Sequence, residues 1–576
     1  MSQDNPRSNV HDVVIIGSGA GGGTVTKVLA DLGVRVLLLE AGPMVSMSDF
    51  RMLQGPYDVW HRGAGERAQL YTEGQAPPLS YDARFAVNAG DEPYTVAAGS
   101  QFRWFRSRCI GGRTNHYGRV QLRYSDYDFK PRSFDGLGWD WPIGYEDIAP
   151  YYDKAERLIG VTGRPEGIRS APDGIFQEPA PLKVHEVLLQ RACATLGIRA
   201  INARQAVITS PLNGRPACHY CGQCGRGCTT ASNYASSYVQ IFPAMQTGHV
   251  EVLTNAMARE LLTDAAGRVT AVAYIDKSTG AEREVRCRSV VLAASACESA
   301  RLLLNSKSPR HPDGLANSSG TVGRYLTDSV GFGMSATVPA LAGMPVHNTD
   351  GYGPHVYIPW WMWDRHKELD FPRGYHVEVG GGGFGMPGLG FGAGAYSRSE
   401  GYGIPMKQAI RESYGGRTIG LSGRGSMIPN EHSYCEIDPD AKDKWGIPVL
   451  RFHWRWSDHE INQVRHMRES FRAILESLGG TIAAGRGGAA SQSAGAPPVM
   501  GAGGGIIHEV GCVRMGDDPR ASVLNRFCQA HDVRNLFVAD GGPFVSHADK
   551  NPTHTIIALA WRTAEYLAEQ MRKGDV

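Results

Sequence analysis

The sequence predicts an α/β fold: a Rossmann-like dinucleotide-binding domain joined to a discontinuous substrate domain built on an antiparallel sheet. Three observations predict it. A strand, a glycine turn, a helix and a second strand follow one another within the first 40 residues. Strand signals at 250–253, 269–275 and 288–294 suit an accessory sheet and a returning parallel strand. The length of 576 residues exceeds what one core supports and requires two or three domain-sized units.

The first strand is DVVII at 12–16, a β-branched run of the kind buried on both faces of a parallel sheet. GSGAGG follows at 17–22, then TVTKVLADLG with helical spacing, then VRVLLLE at 34–40. Gly17, Gly19 and Gly22 fit G-x-G-x-x-G. The three glycines serve a tight turn, close approach of backbone to a pyrophosphate, and tight helix–strand contact. The phosphates belong at the helix N-terminus, on free N–H groups. Glu40 closes the second strand, where a carboxylate hydrogen-bonds a ribose hydroxyl. With every part in order, the motif reads as dinucleotide-binding, without choosing between FAD and NAD.

Composition excludes several classes. Hydrophobic residues make up 42% and charged residues 20%, as in ordinary globular proteins. A net charge of +2 gives no field that would draw nucleic acid. No apolar run reaches the ~18 residues of a membrane helix. The polar start MSQDNPRSNVHD does not read as a signal peptide, so folding in the cytoplasm is expected. Eleven cysteines, most placed singly as at Cys193, Cys287, Cys435 and Cys528, argue against a disulfide framework.

One run departs from that scatter. CHYCGQCGRGC at 218–228 places Cys218, Cys221, Cys224 and Cys228 as C-x2-C-x2-C-x3-C, the spacing of bacterial ferredoxins without the proline that follows there. Thiolates at these intervals on a glycine-bearing loop suit a [4Fe–4S] cluster. Structural thiols or a strained disulfide remain a second reading and zinc a third, though zinc sites more often use two separated pairs.

Near the other end, HEVGCVRMG occupies 508–516 and LFVADGGPFVSHADKNPTHTIIALA occupies 536–560. Asn551 is a good N-cap, Pro552 fits the first helical position, and an amphipathic helix continues from there. With the N-terminal fingerprint, these segments resemble the glucose–methanol–choline (GMC) family of FAD oxidoreductases. IGGRTNHYGRVQLR at 110–123 is similar to the family's Gly-Gly segment, and VVLAASACESARLLLNS at 290–306 to the strand and helix that close its FAD domain. WPIGYEDIAPYYDKAERLIGV at 141–161 and CEIDPDAKDKWGIPVLRFHWRWSDHE at 435–460 resemble sugar-oxidising members, among them the bacterial glucoside 3-dehydrogenase catalytic subunits. Cys512 replaces the threonine usual in the family's H-x-x-G-T-x-R-M-G.

The resemblance implies FAD as the dinucleotide. It implies oxidation of a secondary alcohol of a sugar or glycoside, at a carbon such as C3 of a glucoside, with the hydride passing to flavin N5. Imidazole suits the accompanying proton transfer, because its ordinary pKa lies near neutrality. His508 is the expected base. Asn551, in the family's second His-or-Asn position, would bond the same hydroxyl oxygen; His547 and His554 do not match that position. Gly111, Gly112, Asn115, His116, Asp540, Pro552 and Thr553 are the further cofactor contacts implied. His116 has the spacing of a histidine that some relatives bond covalently to flavin; a noncovalent contact is the plainer reading. Some members hold a [3Fe–4S] cluster through three cysteines, matched here by Cys218, Cys224 and Cys228. Electrons would then leave singly for a cytochrome or quinone partner, with a small companion subunit able to carry the chain to the periplasm. An oxygen-reducing oxidase and an electron-transfer subunit are the alternatives, the latter disfavoured because electron transfer alone needs no proton base.

The FAD-binding domain is expected to comprise 1–45, 95–130, 200–330 and 505–576, and the substrate domain 46–94, 131–199 and 331–504. YIPWWMW at 357–363 and FHWRW at 452–456 offer aromatic faces for sugar rings, or an ordinary core. FRWFRSR at 102–108 suits phosphate contact or a surface. Glycine-rich runs at 380–396 and 483–505 suggest a lid and a mobile connection.

Overall fold

Val13, Val14 and Ile15 are fully buried, as the apolar run requires of a strand covered on both faces. Their strand, Val10–Ile16, lies between Val36–Leu39 and Glu282–Leu292, parallel to both. Val250–Leu253 extends the sheet beyond Val36–Leu39, and Leu536–Val538 joins Glu282–Leu292, again in parallel. The meander Ala256–Thr263, Val269–Asp276 and Glu282–Leu292 adds the antiparallel part. Ala256–Thr263, at the edge of this sheet, carries no strong alternation, and the sequence pattern does not announce it. The computed structural model describes residues 10–50, 87, 90–222, 224–344, 352–381, 402–405, 407, 417–482 and 499–576. The suggested lid beyond residue 381 and the connection at 483–498 lie outside those residues.

The register decides where a ligand can bind. Ile16 pairs with Leu39 and Leu292, and Leu292 with Val538, so four parallel strands end at one edge. The chain leaves that edge through Gly17, Glu40, Ala293 and Ala539. Clefts beyond the carboxyl ends of parallel strands are where such sheets bind ligands. Helix Ala20–Asp31 covers one face and packs against the C-terminal helix Thr553–Lys573.

A second, antiparallel sheet orders its strands Thr481–Ile482, Val330–Thr337, Thr418–Gly425, Tyr375–Gly381, Val356–Ile358 and Ile201–Asn202. Helix Asp458–Ser477 backs it, started by Ser457, whose N–H donates to the Glu460 carboxylate at 2.8 Å. Gly423 permits close packing there, since a Cβ would sit 2.6 Å from Met467 Sδ. A third, smaller sheet joins the hairpin Tyr434–Lys442 and Pro448–His453 to Thr95–Val96.

The aromatic runs pack on the core, and Trp360 and Trp363 also line a small pocket beside Lys550. Trp360 packs on Trp361, Phe371 and Tyr375; Phe452 packs on Tyr94, Phe102 and Trp104. Neither run lines the main cavity. The basic piece at 102–108 behaves differently: Arg103 is exposed, whereas Arg106 and Arg108 line the cavity and are ion-paired with Glu92 and Glu298.

Candidate active site

A cavity of about 250 Å³ runs from the glycine turn, past Glu40 and Asp540, to His508 and Asn551. Its glycine end fits a dinucleotide. Gly17 has φ +99°, and a Cβ there would lie 2.4 Å from the Ala293 carbonyl oxygen. At Gly22 a Cβ would lie 1.9 Å from the Gly17 oxygen, so helix and turn touch through backbone alone. Gly19 meets nothing within 4 Å and lines the cavity, leaving room for a pyrophosphate at the head of helix Ala20–Asp31.

Two carboxylates mark the walls. Glu40 accepts hydrogen bonds from Ser18 Oγ and, at 2.9 Å, from the Gly42 N–H; burial raises its pKa against those bonds. Asp540 accepts from Ser299 Oγ at 2.5 Å, Gly542 N–H at 2.7 Å and Ser295 N–H at 3.0 Å. Burial pushes its pKa up to about 6 despite these donors. Gly112, Pro552 and Thr553 also face the cavity.

Gly111, Asn115 and His116 are not among its lining residues. The Asn115 amide donates to the Ile110 and Gly112 carbonyls, bracing the Gly111–Gly112 turn from behind. His116 Nε2 lies 2.9 Å from Ser107 Oγ, its ring near Phe105. Ser107 and Phe105 themselves line the cavity, and Gly111, at φ +85°, opens the short 3-10 helix Gly112–Asn115.

At the far end, His508 Nε2 lies 3.3 Å from Asn551 Nδ2. The backbone N–H groups of Ile506 and His508 donate to Asp328, at 3.2 and 2.9 Å, and Thr327 bridges to Val510, so the loop holding His508 is tied to the start of Val330–Thr337. The helix after Asn551 is assigned from Thr553, with Pro552 as its N-cap, one residue later than the sequence suggests. Asn551 therefore does not cap it. Its Nδ2 donates to Glu378 Oε1 at 3.1 Å, and its Oδ1 is buried without a partner.

Glu378 is a member of the site that motif reading missed, along with Arg424, Ser329 and His376. Period two on Tyr375–Gly381 puts His376 and Glu378 on one face, and Arg424 comes from the adjacent strand, its guanidinium 2.9 Å from Glu378. Burial raises the Glu378 pKa, but Arg424 and His376 outweigh it and hold the carboxyl well below the usual range. Two ionisable residues alternating within the apolar YHVEVG were the available signal. Burial first, then the neighbouring His547 and Arg424, which oppose a second positive charge, depress His508 well below 6.5, so it is a neutral imidazole near pH 7.

The sulfurs of the 218–228 run are engaged locally. Cys218 accepts from the Tyr220 N–H at 3.3 Å, Cys224 Sγ donates to the Tyr352 carbonyl at 3.3 Å, and Cys228 Sγ lies 3.3 Å from Thr230 Oγ1. Burial pushes Cys218 up to about 12. No disulfide links the described cysteines. Among the described residues, one group of metal-ligating types gathers all its donor atoms within 4.8 Å: the buried trio Cys297, Cys435 and Cys512. Two of these three were expected to be isolated thiols or a mild motif change.

Comparison with known proteins agrees with this architecture. Residues 12–330 and 429–560 match two family models, both described as GMC oxidoreductase. The chain is 31% identical to 2-methyl-1,2-propanediol dehydrogenase of Mycolicibacterium austroafricanum, over 97% of this chain and 95% of that protein. It is 27% identical to the fructose dehydrogenase large subunit of Gluconobacter japonicus, over 98% of each. Among solved structures, pyridoxine 4-oxidase from Mesorbium loti superimposes with a TM-score of 0.58 at 18% identity, covering 97% of this chain and 99% of that one.

Proposed function

Because the chain belongs to the GMC oxidoreductase family, and is thus an FAD-dependent alcohol or sugar dehydrogenase, we propose that it oxidises a secondary alcohol of a sugar or glycoside, such as C3 of a glucoside, to a ketone. The observation that carries this reading is the His508–Asn551 pair, 3.3 Å apart, at the end of the cavity that begins at the glycine turn.

Bound FAD supplies the two-electron acceptor for the carbinol hydride. The glycine turn and the N-terminus of Ala20–Asp31 would hold its pyrophosphate, and Glu40 a ribose hydroxyl. His508 Nε2 takes the hydroxyl proton. Asn551 Nδ2, beside His508 Nε2, would donate to the same oxygen and fix the carbon's orientation. Glu378 and Arg424 supply an acceptor and a donor suited to a polyol. The near full-length likeness to a protein named fructose dehydrogenase supports the sugar assignment.

The 218–228 loop would hold an iron–sulfur cluster through Cys218, Cys221, Cys224 and Cys228, and the cluster would supply single-electron transfer to a cytochrome or quinone; the ferredoxin-like spacing supports this. A small companion subunit, able to carry the chain to the periplasm, fits the relative named as a large subunit. We divide the chain between its two ligand-binding halves at the boundaries given above.

The test is anaerobic flavin reduction by a sugar panel, then turnover with a dye acceptor and with oxygen. His508→Ala should slow reduction by about 10²–10⁴-fold. Full activity in that variant refutes the assignment of the base. A flavin spectrum without iron or acid-labile sulfide in anaerobically purified protein refutes the cluster.

A further inference from the structure

We infer that Ser329 and His547 are positioning residues that hold the proton of His508 on Nδ1 and so keep its Nε2 lone pair open to the substrate hydroxyl. The inference rests on His508 as the base and adds the groups that set its tautomer.

The direction of each hydrogen bond follows from two ends that can only accept. At one end, His547 Nδ1 lies 2.5 Å from the Ala548 carbonyl oxygen, so Nδ1 carries a proton. Burial first, against the pull of that carbonyl, holds the His547 pKa down to about 4, so the ring is neutral and its Nε2 is bare. Ser329 Oγ lies 3.3 Å from that Nε2 and must donate to it. Having spent its one proton, the hydroxyl accepts from His508 Nδ1, 2.9 Å away.

At the other end, Glu378 is ionised beside Arg424 and accepts only. The Asn551 atom facing it is therefore Nδ2, which orients the amide without recourse to density. The second hydrogen of Nδ2 points to His508 Nε2, which must again be bare. Two independent chains, one from a carbonyl and one from a carboxylate, thus converge on the same tautomer.

The opposite tautomer breaks both chains. A proton on Nε2 would face the Asn551 N–H, donor to donor. A bare Nδ1 would leave Ser329 with one proton for two imidazole acceptors. When Nε2 takes the substrate proton, Nδ1–H still donates to Ser329, so the bonds from His508 through Ser329 to His547 keep their direction, while the Asn551 N–H leaves Nε2 for the substrate oxygen. Ser329 ends the segment just before Val330–Thr337, and His547 lies in the buried turn before Asn551.

The test uses flavin-loaded protein labelled with 15N-histidine. In the wild type, His508 should show a protonated Nδ1 and a bare Nε2. Ser329→Ala and His547→Phe should give mixed tautomers and slow flavin reduction by about 10–100-fold with little change in KM. Ser329→Thr, which keeps the hydroxyl, should restore both readouts. A protonated Nε2 in the wild type overturns the inference, as does a single Nδ1–H tautomer with full rate in both disrupting variants. If His508→Ala reduces flavin normally, the base assignment fails instead, and the wild-type spectrum still judges the tautomer.

Discussion

His508 illustrates how one side chain's chemistry is set by what surrounds it. Its depressed pKa means that acid must go well below 6.5 before the base is lost. The acidic limb of kcat/KM is therefore expected well below pH 6.5, checked by rapid-reaction reduction across pH; a limb at or above 6.5 contradicts it. The stability sign is the same. The unfolded chain binds this proton more readily, so the fold loses stability as pH drops below about 6.5. Lys550, beside Asn551, is buried between Asp128 and Asp549, with Asp128 at 2.9 Å. Lys550→Met would strand two buried carboxylates and should cost roughly 3–5 kcal/mol in denaturant unfolding. An unchanged midpoint would show that the carboxylates find another partner or protonate cheaply.

At the scale of elements, the glycine turn works because strand, turn and helix touch through backbone atoms. Gly22→Val adds side-chain atoms starting 1.9 Å from a carbonyl oxygen, which the strand's register cannot relieve. The variant should purify with far less flavin and a lower Tm; normal flavin content would refute the packing argument. Much of this element was legible, since glycine at three fixed positions admits few other meanings. The strand Tyr375–Gly381 was less legible. Its His376 and Glu378 become site residues only because Thr418–Gly425 brings Arg424 alongside, and no local pattern specifies that pairing. Asn551 shows the converse. Its local sequence favours an N-cap, but the helix begins at Thr553 after Pro552, and the Asn551 amide instead donates through Nδ2 to Glu378 and His508.

Across the whole molecule, the cavity is walled by segments from the first 45 residues, the 105–120 region, 256–302 and the last 70. A ligand seated there contacts pieces that the unfolded chain keeps far apart. Flavin should therefore stabilise the fold by mass action, with Tm rising as FAD is added to flavin-stripped protein. A Tm indifferent to FAD would place the cofactor elsewhere.

The sequence by itself determined the Rossmann-like half, the identity of the phosphate turn and the two residues that meet at the cavity's end, because each rests on local backbone geometry or a compact motif. Only the tertiary structure decided that Arg106 and Arg108 reach the cavity, that three scattered cysteines share one buried spot, and that Ser329 and His547 stand behind His508. Those facts depend on contacts between residues tens to hundreds of positions apart, and the register of strands, not any short pattern, selects which of them touch.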